Sequence, residues 1–402
     1  MAEGGNGAGR AGPFRRLVLY IPGFDPFPAR RYRELYRTEG AAQARISGYD
    51  LSVARGDSTQ GWTAQARIEG QEAEARIEVL GWSDIVRASM GQGLVATYGQ
   101  LARTVWTYAR ARAFWRLFGL RKGPMIAALY PVAVLVAELI VALVIAVLVA
   151  RMAAVLVPWP VAALLGLAII WALLLLARRL DRRIFAWYLI HDYAFTASEG
   201  GRAPAALRPR LTEFADRIER ALAEPWDEVL VVGHSSGAHL AVMALADLMR
   251  RRPLPDKPPL ALLTLGQVMP MVTALKGASD LRADIGQVAR APGLTWVDVT
   301  APGDGCSFAL CDPVAVAGQG GPGVTKPLIL SAAFSQTLSP ERLRALRHRY
   351  FRLHFQYLCA FDRPGDYEYF AITAGPRTLA DRFAGRRSSP STVRTVITPG
   401  PA

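Results

Sequence analysis

Residues 125–150 of this 402-residue chain are apolar almost without interruption, and Glu138 is the one ionisable side chain among them. A second such run, 153–177, is broken only by Pro158-Trp159-Pro160. These two runs constrain the fold more than any other feature. A helix needs ~20 consecutive apolar residues to cross the hydrocarbon core of a bilayer. A helix apolar on every side also has no solvent face to offer a soluble protein. Two crossings fit, at roughly 126–149 and 161–177, with the turn inside 151–160. The competing reading is a helical hairpin buried within a soluble domain.

The flanks orient the hairpin. Arg121 and Lys122 precede the first run, and Arg178, Arg179, Arg182 and Arg183 follow the second, whereas only Arg151 lies near the turn. Basic residues are retained on the cytoplasmic side, so both ends of the hairpin and both termini are expected in the cytoplasm, at an inner (cytoplasmic) membrane. Residues 94–120 mix Tyr98, Trp106, Tyr108, Trp115 and Phe118 with Arg103, Arg110, Arg112 and Arg116, and Phe185, Trp187 and Tyr188 follow the second run. Aromatic rings beside arginines suit the headgroup zone, as does an amphipathic helix packed on the rest of the chain. Glu138 is expected to hydrogen-bond a neighbouring helix or a second copy of the chain. Two spans leave little material for a conduction path.

Charge and cysteines narrow the partners. The net charge is +14 and the sequence pI about 10.1. Because arginine clusters beside the apolar runs, the expected partner is the lipid bilayer and not nucleic acid, for which no motif is present. Cys306, Cys311 and Cys359 form an odd set without a CxxC pair. Neither a disulfide framework nor a zinc site is expected from that spacing, and reduced thiols in a cytosolic setting are. No cofactor or resident metal is expected. Residues 1–13 lack the apolar core of a secretory signal and, like 386–402, read as a disordered tail.

Outside the hairpin the most informative stretch is 228–240, EVLVVGHSSGAHL. Residues 228–232 read as a short buried strand, 233–237 as a G-x-S-x-G turn, and 238–250 as a helix. Such a turn is tight, so glycine is needed where a Cβ would strike the neighbouring strand or helix. Ser235 would sit at its tip, facing the positive end of the following helix. Strand, GHSSG and helix together resemble the nucleophile elbow of the α/β-hydrolase superfamily of serine hydrolases. The resemblance covers roughly the first ninety and the last two hundred residues. It implies a doubly wound, mostly parallel sheet and a triad in the chain order serine, acid, histidine, with the hairpin as an insertion.

Serine needs a base to take its proton, and that base is held by a carboxylate. His234 and His239 adjoin the elbow, outside the late loop the family uses. His191 precedes the serine and reads as an interfacial polar residue. His348 and His354 remain, in RALRHRYFRLHFQYL. His348 sits among arginines, as on a solvated helix face. His354 opens an H-x-x-Y segment that resembles the surroundings of the catalytic histidine in some members, and is preferred. For the acid, Asp304 follows the strand 294–299 in a glycine-rich loop, where the family places it. Asp298 within that strand and Asp312 after it stay open. By resemblance the oxyanion hole takes the amides of Ser236 and of Phe24, in the turn after the first strand. Proline at position 22 stands where many members have histidine.

Along the chain, 14–21 reads as a strand, 22–26 as a turn and 28–37 as a helix. Residues 44–54, 62–69 and 73–80 alternate as strands, and 81–84 lead back to the sheet. Leu207, Leu211, Phe214, Ile218 and Leu222 give 205–223 helical spacing. Residues 259–265 and 294–299 read as buried strands, 338–358 as containing a basic helical stretch, and 369–373 as a last strand. The expected organisation is a hydrolase domain formed by 14–86 and 199–385, interrupted by an amphipathic helix and transmembrane hairpin at 87–198. The expected function is a membrane-anchored, cytoplasm-facing serine hydrolase that cleaves an ester, thioester or similar acyl bond, with a lipid-like substrate favoured by the anchor. The alternative is a non-catalytic membrane-tethered scaffold of the same fold. The apolar helices also offer a surface for a homo-oligomer.

Overall fold

The computed structural model describes residues 12–398 except 57, 92, 182, 183 and 348. The expectations for residues 1–11 and 399–402, for Arg182 and Arg183, and for His348 fall outside the described residues. The chain divides into two compact units.

The first unit combines residues 1–83, 208–269 and 281–396. Its strands are β1 (Phe14–Ile21), β2 (Asp50–Arg55), β3 (Gly61–Ile68), β4 (Gln71–Val79), β5 (Glu228–His234), β6 (Leu260–Leu265), β7 (Leu294–Thr300) and β8 (Leu328–Ser331). They form one mixed sheet in the order β2-β3-β4-β1-β5-β6-β7-β8. β2, β3 and β4 pair antiparallel, and every other neighbour is parallel. The sequence patterns account for the split. β5 and β6 are buried at every position and carry the continuous apolar runs of strands covered on both faces. β4 alternates instead: Ala73, Ala75, Ile77 and Val79 are buried, and Glu78 reaches Arg217 on the helix Arg208–Leu222 at 2.7 Å.

One face of the sheet packs Val18, Leu230, Val232, Leu263, Val297 and Val299 against Phe334, Tyr357, Phe361 and Phe370. On the other face Leu17, Leu19, Val229 and Val231 are equally buried. β1 and β5 lie side by side, with β1 leading to strands on one side and β5 to strands on the other. The crevice beyond their carboxyl ends is the topological switch point at which open α/β sheets place their ligands.

A buried ion pair ties distant parts of this sheet. Arg16 on β1 donates through Nε to Glu228 on β5 at 2.6 Å, through one guanidinium nitrogen to Gly375 O at 2.7 Å, and through the other to Arg377 O. Glu228 also accepts the Leu379 amide at 2.6 Å. With each guanidinium nitrogen and both carboxylate oxygens engaged, removing either partner would strand a buried charge, at a cost of ~3–5 kcal/mol.

Several local expectations change. The first helix is Ala29–Ser47, which overruns the expected start of β2 until Gly48, with φ 72, ends it in the left-handed region. Residues 369–373 form a helix, Tyr369–Thr373, and not a strand. Tyr36 holds it there, with ring centroids 5.8 Å from Tyr369 and 5.0 Å from Phe370. The last strand is β8, four residues that went unread. The stretch 338–358 breaks into the helices Pro340–Leu346 and Tyr350–His354 and a tight 3-10 turn, Phe355–Leu358. Residues 386–396, expected to be disordered, begin along the edge of β8, where Ser389 N donates to Ile329 O at 2.8 Å, and continue to the loop after β7, where Val393 N donates to Leu310 O at 2.8 Å. Covering the edge strand protects it from pairing with other chains.

The second unit combines residues 84–207, 270–280 and 397–402. It contains two helices long and apolar enough to cross a membrane, Lys122–Ala153 and Trp159–Leu180, in which an 18-residue stretch has a mean hydropathy of 3.2 and 2.5 respectively. At 1.5 Å per residue they are about 48 and 33 Å long, against a hydrocarbon core of about 30 Å. Most of their large side chains face outward, among them Ile140, Val144, Leu148, Leu164 and Leu167. Where the two meet the residues are small: Ala142, Ala146 and Ala162 are buried, and a Cβ on Gly166 would lie 3.4 Å from Ala146 O. Glu138 accepts a hydrogen bond from Trp187 Nε1 at 3.0 Å, across to the helix Ala186–Ala197. The expected single amphipathic segment at 94–120 is two helices, Leu94–Arg110 and Ala113–Leu120, broken at Arg112 with φ 48.

Candidate functional site

Ser235 stands between β5 and the helix Ser236–Arg251, with φ 55 and ψ −124. A serine in that region is strained by ~1–3 kcal/mol and persists only where its surroundings enforce it. Two glycines show how tight the surroundings are. A Cβ on Gly237 would lie 2.1 Å from Ile21 O, and one on Gly233 would lie 2.6 Å from Gly237 O. The Ser235 amide donates to Leu265 O at 2.8 Å, which fixes the turn to the end of β6. The turn after β1 is pressed against the serine as well: a Cβ on Gly23 would be 2.9 Å from Ser235 Cβ and 3.4 Å from its Oγ. Phe24 follows in that turn, and Ser236 opens the helix, so the two segments named for the oxyanion hole flank Ser235 at the switch point. Trp82 Nε1 donates to Pro22 O at 2.9 Å and braces this turn.

The structure brings together Asp304 and His354, fifty positions apart. His354 Nδ1 lies 2.7 Å from Asp304 Oδ2, and both residues are buried. A carboxylate can only accept, so Nδ1 carries a proton; in the neutral ring that tautomer leaves the lone pair on Nε2. Burial alone would raise the Asp304 carboxyl. The neighbouring His354 and the donors from Cys306 N and Ser307 outweigh that and hold it below its ordinary value. Cys306 N donates to Asp304 Oδ1 at 2.9 Å. Among the described residues no hydrogen bond joins Ser235 Oγ to His354.

Tyr357 is the member that sequence reasoning missed. It is fully buried, and its hydroxyl lies 3.0 Å from Asp304 Oδ2. The Ala301 amide donates into the same phenol oxygen at 2.9 Å, so the phenol's own proton is directed at the carboxylate. The available signal was the H-x-x-Y spacing. Residues three apart in a helical turn share one face, and here that face meets a single oxygen of Asp304. His234 contributes from the other side. Its Nε2 donates to His354 O at 3.1 Å, and the two rings lie tilted by 36° with centroids 4.9 Å apart. Burial, then the adjoining His354, push the His234 pKa down to about 3, so the ring is neutral at physiological pH.

The other carboxylates lie elsewhere. Val297 and Val299 face the aromatic side of the sheet, so Asp298 between them faces the opposite side, where Thr264 Oγ1 donates to it at 2.6 Å. Asp312 caps the short helix Pro313–Val316, accepting from Val314 N and Ala315 N at 3.0 and 3.1 Å. His239 is buried on the elbow helix, and His191, in the second unit, contacts Gln100 at 3.0 Å. No protein-family model, curated protein or solved structure matches the chain. The class defined by fold and site geometry is therefore an α/β protein with a mixed eight-stranded sheet, a strained serine at its switch point, and a buried acid–histidine pair.

Proposed function

We propose that the protein is a membrane-anchored serine hydrolase of the α/β-hydrolase type that cleaves an ester, thioester or similar acyl bond. The observation that carries this reading is the strained Ser235 at the switch point, in the same unit as the buried Asp304–His354 pair. In the proposed reaction Ser235 Oγ attacks the acyl carbon and His354 Nε2 takes its proton. Asp304 keeps the imidazole in the required tautomer and stabilises the imidazolium. The developing oxyanion is received by the amides of Ser236 and Phe24, aided by the helix that starts at Ser236. The protonated His354 then passes its proton to the leaving group, and water repeats the sequence on the acyl-enzyme.

The two long apolar helices support anchoring in a bilayer. A lipid-like substrate follows from that anchoring, and the basic outer flanks favour a cytoplasm-facing body with both termini on that side. The second reading is a tethered scaffold of the same fold without turnover. The lack of a hydrogen bond between Ser235 and His354 among the described residues favours it. A fluorophosphonate probe separates the two, because only an activated serine labels quickly. Rapid labelling of the detergent-solubilised protein, abolished in Ser235→Ala with unchanged thermal unfolding, is the expected result. Wild-type labelling no faster than that of the alanine variant would reject the hydrolase.

A further inference from the structure

The acid loop carries a thiol that the proposed hydrolysis does not use. Ligand-capable atoms of Asp304, Cys306 and His354 all lie within 4.8 Å of one another. From this we infer that the three residues form an inhibitory binding site for Zn²⁺. The spacing of the cysteines alone gives no hint of it, because one thiol is joined by a carboxylate two positions away and by an imidazole from a separate helix.

The donor set selects the ion. One thiolate, one imidazole and one carboxylate suit zinc, which takes such mixtures in tetrahedral geometry. Magnesium and calcium require shells of oxygen. Zinc holds sulfur at about 2.3 Å and nitrogen and oxygen at about 2.0–2.2 Å, so tetrahedral donors stand roughly 3.3–3.8 Å apart. The thiol has to approach by about 1 Å at most, and for coordination through Nδ1 the 2.7 Å Asp304–His354 contact has to open by about 0.7 Å. Both fall within the movement of side chains on a loop. The supporting contacts are in place as well. Cys306 N holds Asp304 Oδ1 at 2.9 Å and the Tyr357 hydroxyl holds Oδ2 at 3.0 Å, the kind of outer hydrogen bonds that orient a ligating carboxylate. Asp304 and His354 are buried while Cys306 is half-buried, which opens the site on the thiol side.

The chemistry balances with one proton. Cys306 gives up its thiol proton to solvent, Asp304 is already ionised, and the imidazole contributes a lone pair. Coordination through Nε2 occupies the lone pair that would deprotonate Ser235. Coordination through Nδ1 drives the ring proton to Nε2, with the same outcome. With Nδ1 as the ligand, Asp304 is turned from the imidazole to the metal; with Nε2 as the ligand, Asp304 shares its oxygens between the metal and the Nδ1 proton. Zinc would therefore silence the serine without touching it, and this inhibitory consequence, unlike the binding itself, rests on the hydrolase reading.

The test uses the full chain in detergent. Titration with Co²⁺, a spectroscopic stand-in for zinc, should give a thiolate-to-cobalt charge-transfer band and tetrahedral d–d bands, both bleached by Zn²⁺. Cys306→Ser should remove the charge-transfer band, and the double variant Cys311→Ser/Cys359→Ser should keep it. Zn²⁺ should slow fluorophosphonate labelling, chelation should restore it, and Cys306→Ser should raise the half-inhibiting concentration roughly 100-fold relative to its own metal-free rate. The inference is overturned if no charge-transfer band forms, if the band survives Cys306→Ser, or if an active enzyme ignores Zn²⁺. A cobalt site that depends on Cys306 in a protein that never labels would keep the binding site and reject the hydrolase.

Discussion

Tyr357→Phe removes one oxygen from the centre of the site and leaves the ring, so its effects can be assigned. That oxygen accepts the Ala301 amide at 2.9 Å, donates to Asp304 Oδ2 at 3.0 Å and lies 3.5 Å from Ser307 Oγ. A hydrogen bond to a charged group contributes about 1.5–3 kcal/mol, and a buried amide left without a partner costs about 1–3 kcal/mol. The two losses sum to roughly 2.5–6 kcal/mol. Ser307 lies close enough to recover part of this, so a destabilisation of about 3 kcal/mol is expected. The functional effect is separable from the structural one. Asp304 keeps His354 Nδ1 and Cys306 N, so the pair still forms, but a donor worth about 1.5–3 kcal/mol is gone from the ionised carboxylate. Its pKa should rise, because one donor that favours the ionised form is gone. Thermal unfolding in detergent measures the first effect, and the pH profile of fluorophosphonate labelling measures the second, with the acid limb moving toward higher pH. Tyr367→Phe is the control. Its hydroxyl donates to the Tyr357 carbonyl at 2.8 Å, away from Asp304, so it should lose about 1 kcal/mol with no change in profile. If Tyr357→Phe unfolds like wild type and labels with an unshifted profile, the phenol does not hold the acid and the hydrogen-bond direction argued above is wrong.

Other consequences follow from buried groups and from the apolar helices. Burial raises Asp298 to about 8, so the folded state holds its proton; the stability this gives is complete below pH 3.8 and is lost as pH rises through 8. Asp298→Asn should therefore gain on wild type steadily from pH 4 to 8, by up to about 5 kcal/mol, and a gap independent of pH would refute this. Burial lowers His239 to about 4, so its contribution is present above pH 6.5 and is lost as pH falls toward 4; His239→Gln should flatten the acid fall in unfolding temperature, worth about 3 kcal/mol over that window, and an unaltered acid slope would count against it. A single cysteine at Ala154, in a chain without the native three, should react with an impermeant thiol reagent from outside intact cells, whereas one at Ser58 or Ser388 should not; the reverse pattern would invert the orientation drawn from the basic flanks.

What could be read from the sequence follows from how far each signal reaches. β1, β5 and β6 carry runs of Val and Leu that need no partner to be recognised, β7 alternates apolar with polar residues, and the two long helices declare themselves by length. The elbow is legible because strand, turn and helix are contiguous in the chain. Asp304 and His354 are preferred on the resemblance, through the family's chain order and the H-x-x-Y segment, and the structure sets that pair 2.7 Å apart. Tyr357 has no role legible in its own segment, because its contact with Asp304 exists only once residues 53 apart meet. Tyr369–Thr373 has the composition of a strand, and no local period distinguishes a five-residue apolar strand from a turn of helix. Its packing on Tyr36 decides the matter. The same holds for 386–396, polar and rich in arginine, whose partners are distant in the chain: Ile329 on β8, and Leu310 and Asp312 in the loop after β7.

The buried clasp of Arg16 and Glu228 has a consequence for biogenesis. β1 is the first strand made, yet its neighbour β5 is synthesised only after both long apolar helices, and Arg16 completes its contacts at Gly375 and Arg377. An unpaired guanidinium cannot be buried, so the amino-terminal strands must remain open, or be shielded by a chaperone, until almost the whole chain has left the ribosome. If the apolar helices enter a bilayer, parity follows. A sheet sewn together from residues 14–83 and 208–396 requires both segments on one face of the membrane, so the chain between them must cross an even number of times. A variant in which one helix fails to insert would do more than weaken the anchor. It would put the two halves of the sheet in different compartments, and no soluble core could form on either side.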